Sequence, residues 1–296
     1  MDLKNYFEER LSRVDRLLNA CLPKEDTLPA SLHKAMRYSV FAGGKRIRPI
    51  LMIAACEAVG GDVAKVLPAA GAMEMVHAYS LIHDDLPAMD DDDFRRGRPT
   101  NHKVFGEANA ILAGDALLTE AFILLSNPES NRGVPAETLL RVIHLIGRCA
   151  GSLGMVAGQV VDMESEGTEV DLPTLEYIHT HKTGALILAS IQTGALLGGG
   201  SEEALAALTR YGEASGLAFQ LTDDILDVVG DQEVLGKDVG SDEARGKATY
   251  VALLGLEGAR LRARELRDLA VTALAPLGER AEPLRRIAHY IVDRSS

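Results

Sequence analysis

Apolar residues recur at spacings of three and four along almost the whole chain, the period of helices packed on a core. Near the N-terminus Leu3, Phe7, Leu11, Val14 and Leu18 form such a stripe among charged turns, predicting a surface helix and not the apolar block of a signal peptide. Glycine and proline mark the breaks. Gly43-Gly44 ends one helix, Pro49 opens the next, Gly60-Gly61 ends that one, Asn127-Pro128 ends a helix starting near Glu107, and Pro173 opens a short helix toward Lys182. Alternating runs of β-branched and aromatic residues are missing, so no strand is predicted. Thr183 to Ser201 carries no charge, but Ser190, Gln192, Thr193 and several glycines interrupt it, which argues against a membrane span and for a fully buried central helix. The longest polar stretch, Asp231 to Lys247, is expected to form a mobile lid. With no repeat of solenoid period and no Ser/Gly linker, residues 1–296 read as a single all-α domain, a large helical bundle around a central cavity.

Charge narrows the ligand. The chain has 31 basic and 43 acidic residues, a net charge of −12, with no Trp and few other aromatic residues. Nucleic-acid binders usually present a basic face and stacking platforms, so that class is excluded. A phosphate ligand would have to be met by a local basic cluster or by metal ions. Cys21, Cys56 and Cys149 are widely spaced, without a C-x-x-C pair, so neither disulfides nor zinc are indicated and a reducing cytoplasm is expected.

The most informative segment runs from Ser80 to Lys103, where an apolar helix leads into Asp84, Asp85, Asp90, Asp91, Asp92 and Asp93, followed by Arg95 and Arg96. Like charges about 4 Å apart repel by roughly 1 kcal/mol in water and about 4 kcal/mol at an effective dielectric of 20, so such a cluster calls for cations. Pro87 disfavours helix at Leu86, so the helix ends near there and Asp90 can fold back toward Asp84. A second cluster places Asp223 and Asp227 at i and i+4 on one helix face, Asp224 beside them and Gln220 one turn earlier. Oxygen-only donors of this kind suit Mg²⁺, which shares its shell with substrate phosphates. GGKRIRP, Gly43 to Pro49, adds Lys45, Arg46 and Arg48 after a helix stop, a candidate anion site.

Taken in order, GGKRIRP, HAYSLIHDDLPAMDDDDFRRG, GEANAILAGDALLTEAF, HKTG, GLAFQLTDDILDVVGD and GKATY resemble the short-chain trans-prenyl diphosphate synthases, most closely the bacterial farnesyl diphosphate synthases. The resemblance implies a helical isoprenoid synthase fold and a homodimer. It implies that Lys45, Arg48, His77 and Arg96 bind isopentenyl diphosphate. Arg95, Lys182, Lys237 and Lys247 would bind the allylic diphosphate together with Mg²⁺, three ions with substrate bound and Mn²⁺ as an alternative, held by Asp84, Asp90 and Asp223. Asp85, Asp224 and Asp227 would be auxiliary ligands or orient metal-bound water, and Thr183 and Gln220 would lie beside the developing allylic cation. His83, next to Asp84, is expected to be structural.

The same resemblance implies that Tyr79 and Ser80, five and four residues before Asp84, line the floor that limits the growing chain. Tyr79 with the insertion Pro87-Ala88 matches the pattern of fifteen-carbon synthases, with a geranylgeranyl diphosphate synthase as the alternative. The rival from another class is an all-α metal-dependent phosphohydrolase, suggested by His77 and the pair His83-Asp84, but it accounts for neither the second acidic cluster nor GGKRIRP.

Overall fold

The computed structural model describes residues 2–229 and 249–294, so Lys237, Lys247 and the expected lid lie outside the described residues. The chain forms α1 (Leu3–Cys21), α2 (Ala30–Val40), α3 (Ile47–Ala58), α4 (Leu67–Asp84), α5 (Asn101–Phe105), α6 (Glu107–Ser126), α7 (Ala136–Ala150), α8 (Met155–Ser165) and α9 (Leu172–Ile178). A π-helical turn, His179–Gly184, leads into α10 (Ala185–Leu197), followed by α11 (Glu202–Val229), α12 (Tyr250–Ala273) and α13 (Glu282–Asp293). One departure from the all-helical expectation is a two-stranded hairpin, β1 (Phe94–Arg95) and β2 (Arg98–Pro99), paired antiparallel. Its two turn residues, Arg96 and Gly97, have φ of 54° and 70°, the positive values that a tight hairpin turn requires. Strands this short leave no alternation to read in the sequence.

The helix ends follow local chemistry. Asp2 caps α1 by accepting from the Lys4 amide at 3.0 Å, and Asp171 caps α9 by accepting from Thr174 at 3.0 Å. α6 spans the expected Glu107 to Asn127 boundary. α3 begins two residues before Pro49, which is tolerated in a first turn because the amide it lacks would have no helical partner there.

α10 is the central helix that its uncharged sequence predicts. It packs on α3, α7 and α11. Leu186, Ile187, Ala189, Ser190, Ile191, Thr193, Gly194, Ala195 and Leu197 are all buried, and each large aliphatic side chain among them contributes about 1.5–3 kcal/mol of burial. The core forms two clusters that share α3 and α10. Met52, Ile53 and Leu186 face the side of α4, α6 and α7, whereas Ile50, Leu51, Ile187 and Ile191 face α11, α12 and α13.

Among the described residues two stretches, Glu107–Ser126 and Ala136–Ser165, are long and apolar enough to cross a membrane by length and composition alone. The second is interrupted between α7 and α8 by a turn. The first buries one face on α4 and α2 and leaves Ile111, Leu112 and Ile123 exposed. Cys21, Cys56 and Cys149 are free thiols.

Candidate active site

The first acidic motif takes its shape from the end of α4. Asp84 is the last helical residue and Asp85 the cap. After Pro87 the chain folds back, so that the Asp90 amide donates to the Asp84 carbonyl at 2.8 Å and the Asp91 amide to that of Leu86 at 3.1 Å. Asp84 is thereby crowded. Burial, reinforced by the neighbouring carboxylates of Asp90 and Asp85, raises its pKa to about 6 against the pull of Lys182 and Arg95.

Several groups expected to face substrate hold protein partners. Arg95 lies 2.6 Å from Asp85 Oδ1 and 3.4 Å from Asp92 Oδ2. The Asp85 side chain is buried against that guanidinium. Lys182 Nζ donates to Asp162 Oδ2 at 2.6 Å. Burial opposes the Lys182 charge, but Asp162, with Asp84 and Asp90, outweighs it and the Lys182 pKa is raised. Asp162 went unnoticed in the sequence because it lies on a different helix, α8, 20 residues away. The approach depends on Gly158: a Cβ there would stand 2.7 Å from the Lys182 Cα.

The π-helical turn carries Lys182 and Thr183 between the two acidic motifs. Thr183 Oγ1 donates to Gln220 Oε1 at 2.9 Å, Gln220 Nε2 donates to Asp224 Oδ1 at 3.1 Å, and the Tyr250 amide donates to Asp224 Oδ2 at 2.9 Å. Both Asp224 oxygens thus accept from protein donors. The residue is buried, and His179 Nε2 lies 3.9 Å away, kept neutral by burial with a pKa lowered to about 4. Asp224 orients Gln220 and docks the start of α12. Asp227 is likewise buried. Asp223 is the more exposed member of the motif, and Arg294 from the C-terminal end lies 2.6 Å from its Oδ1 while its guanidinium covers the Phe219 ring at 4.2 Å.

The third wall is basic. The glycine loop ends at Arg46, whose left-handed backbone (φ 48°) turns the chain into α3. Arg46 is buried and structural, bound to Glu74 Oε1 at 2.7 Å and Asp15 Oδ1 at 3.2 Å, while Lys45 beside it is exposed. The hairpin turn directs Arg96 onto the Gly43 carbonyl. Arg46, Arg95, Arg96, Glu74 and His77 line one cleft, with an empty volume of ≈ 460 Å³ that includes its open mouth. Burial lowers the pKa of Arg48 and of Arg96, and Glu74 counteracts it in both. Burial and four arginines, Arg48 foremost, push His77 well below the usual imidazole range. It is a neutral N–H donor at pH 7. Glu74, invisible as chemistry in an apolar helix, is the buried carboxylate on which these cations are assembled.

Glu74→Ala is expected to destabilise the fold by about 3–5 kcal/mol, because buried Arg46 would lose its fully buried partner and keep only the more exposed Asp15 as counter-charge. Urea denaturation reads this directly, and Glu74→Gln should recover part of the loss. A variant within 1 kcal/mol of wild type would show that Arg46 is satisfied without Glu74.

These contacts form a ring of neighbours. Asp84 feels Lys182, the π turn reaches α11 through Thr183 and Gln220, Asp223 acts on Arg48, and Arg48 feels Glu74 of α4. Among the described residues no group of three or more His, Cys, Asp or Glu side chains is gathered as a self-sufficient metal cage. The donors are oxygens set beside cations, which fits a Mg²⁺ site completed by phosphate.

Helix packing brings the acidic end of α4 beside the cleft lined by Arg95 and Arg96. A family model described as polyprenyl synthetase matches residues 29–274. The chain is 51% identical over 260 residues to a farnesyl diphosphate synthase of Geobacillus stearothermophilus, covering 88% of this chain and 87% of that one. It is 47% identical over 298 residues to a chloroplastic geranylgeranyl pyrophosphate synthase of Catharanthus roseus, covering 100% and 82%. Among solved structures, an FPP/GFPP synthase from Zymomonas mobilis superposes with a TM-score of 0.88 at 40% identity, covering 98% and 99%. The chain belongs to the polyprenyl synthetase family and is a prenyltransferase.

Proposed function

We propose that the protein condenses isopentenyl diphosphate with dimethylallyl and then geranyl diphosphate to give (E,E)-farnesyl diphosphate, with Mg²⁺ as cofactor. The observation that carries the reading is the coupling by charge of a cation wall to a set of carboxylates: His77 and Arg96 line the cleft, His77 feels Arg48 and Arg96, Arg48 feels Asp223, and Asp84 feels Lys182 and Asp90. The isopentenyl diphosphate would lie on the cation wall with Lys45, and neutral His77 would donate one N–H to it. Bound at Asp84, Asp90 and Asp223, Mg²⁺ would supply charge neutralisation of the departing allylic diphosphate. Lys182, held by Asp162, stabilises the same leaving group, while Arg95 is within reach on Asp85.

The allylic C–O bond breaks to diphosphate, the isopentenyl double bond attacks to form the new C–C bond, and the proton lost passes to the released diphosphate. Thr183 and Gln220, fixed through Asp224, present preorganised oxygen dipoles where positive charge develops, which costs no reorganisation at the moment of reaction. The test is incubation of purified protein with isopentenyl diphosphate, Mg²⁺ and each allylic diphosphate, followed by chromatography of the dephosphorylated products. A fifteen-carbon major product supports the reading; a twenty-carbon one overturns the farnesyl assignment in favour of geranylgeranyl.

The exposed stripe of α6 supports a homodimer. Ile111, Leu112 and Ile123 are each more than two-fifths exposed on one helix, apolar surface that a second copy could cover. Leu112→Asp is expected to shift the mass in light scattering from twice the 31.7 kDa chain to the single chain. An unchanged dimer would place the interface elsewhere. The three free thiols suit a reducing cytoplasm.

A further inference from the structure

His83 lies next to the metal motif yet makes its contacts in the opposite direction, toward α6. Its ring meets Tyr79, one turn earlier on α4, with centroids 5.7 Å apart and planes at 79°, an edge-to-face pair. Nε2 stands 3.1 Å from the Ile111 carbonyl. A carbonyl only accepts, so Nε2 carries the proton and donates. Gly114 of α6 leaves the space the ring fills: a Cβ there would come 2.6 Å from Cδ2 and 2.9 Å from Cε1 of His83. The imidazole is therefore held on three sides, by a backbone acceptor, by a missing side chain and by an aromatic edge.

Tyr79 is buried, and its pKa is raised by burial and by Asp84. A Tyr ring that terminates chain growth must resist the gain from burying a further isoprene unit, and a lone ring on a rotatable χ1 would swing aside. We propose that His83, clamped between Gly114 and the Ile111 carbonyl, is a specificity-determining residue that buttresses Tyr79 and so sets product length from behind the chain-length floor. The proposal rests on Tyr79 being that floor. His83 touches no substrate; it is a positioning residue for the wall.

The measurement is the product ratio from geranyl and farnesyl diphosphate acceptors for Tyr79→Ala, His83→Ala, His83→Gln and the double variant Tyr79→Ala/His83→Ala. His83→Gln keeps a donor for Ile111 and loses the ring, which guards against a simple folding failure. Both single His83 variants are expected to raise the ratio of twenty- to fifteen-carbon product by about two- to tenfold, the factor carried by one aromatic pair. The double variant should match Tyr79→Ala alone. A purely structural role would lower total turnover and leave the ratio unmoved. Longer products from Tyr79→Ala with an unchanged ratio in both His83 variants overturns the buttress while leaving the floor in place. An unchanged ratio in Tyr79→Ala itself removes the floor and the buttress with it.

Discussion

Asp84→Asn is expected to lower kcat by at least about 10²–10³-fold, the usual loss when one electrostatic group aimed at developing charge is removed, while raising thermal stability at neutral pH. Asparagine keeps the shape of the side chain at the end of α4 and removes its charge. In the folded protein the Asp84 carboxyl is raised from 3.8 to about 6, first by burial and then by Asp90 and Asp85, with Lys182 and Arg95 opposing. A raised carboxyl pKa means that ionisation is harder in the folded state than in the unfolded one. The penalty is fully present above pH 6, shrinks as pH falls from 6 toward 4, and is absent below both values. A shift of this size corresponds to an upper bound of about 3 kcal/mol.

Melting curves of wild type and Asp84→Asn without Mg²⁺ should therefore separate above pH 6 and converge near pH 4. Added Mg²⁺ should stabilise the wild type and not the variant. Because the metal competes with the proton, the wild-type reaction should also weaken as pH falls, at a pH that moves lower as the Mg²⁺ concentration is raised. Activity within tenfold of wild type, or no separation of the melting curves, would remove Asp84 from the metal set.

Tyr79→Ala should convert the fifteen-carbon profile to products of twenty carbons or more. At about 0.8 kcal/mol per carbon, burying another isoprene unit is worth roughly 4 kcal/mol, so termination has to come from a steric block and not from weak binding. Tyr79 is 8% exposed, sits between α4 and α6 in the main core cluster, and is the largest side chain within two turns before Asp84. Removing its ring opens the space beneath the acidic motif without touching a carboxylate. Chain lengths resolved by chromatography decide the matter, and a profile unchanged from wild type would eliminate Tyr79. Ser80, the other floor residue, is a lesser candidate because its hydroxyl is spent on the His77 carbonyl of its own helix at 3.0 Å.

The helical fold was legible because helix is a local property. Apolar spacing, the uncharged run that became α10 and the glycine and proline breaks act over a few residues, and the elements they predict are present. Both acidic motifs and the GGKRIRP loop were legible for the same reason, since a concentration of like charge in an apolar setting is unusual in any short window. The hairpin escaped notice because its strands are held by one tight turn and not by a pattern. The π-helical turn escaped because its wide hydrogen-bonding ring leaves no mark in composition.

By itself the sequence determined the class of the fold, the residue types of the site and the family chemistry they match. Only the tertiary structure decided which side chains are paired. Arg46 and Arg48 stand two apart in one motif, yet Arg46 is sealed against Glu74 and Asp15, while Arg48 reaches both His77 of α4 and Asp223 of α11 through its charge. Asp223 and Asp224 are neighbours, yet one meets Arg294 and the other is locked beneath α12. Adjacent residues on a helix point about 100° apart, so which one faces the cleft is set by the packing of helices distant in sequence. That packing also turned Lys182 onto Asp162 and His83 onto Gly114, contacts that no local pattern encodes.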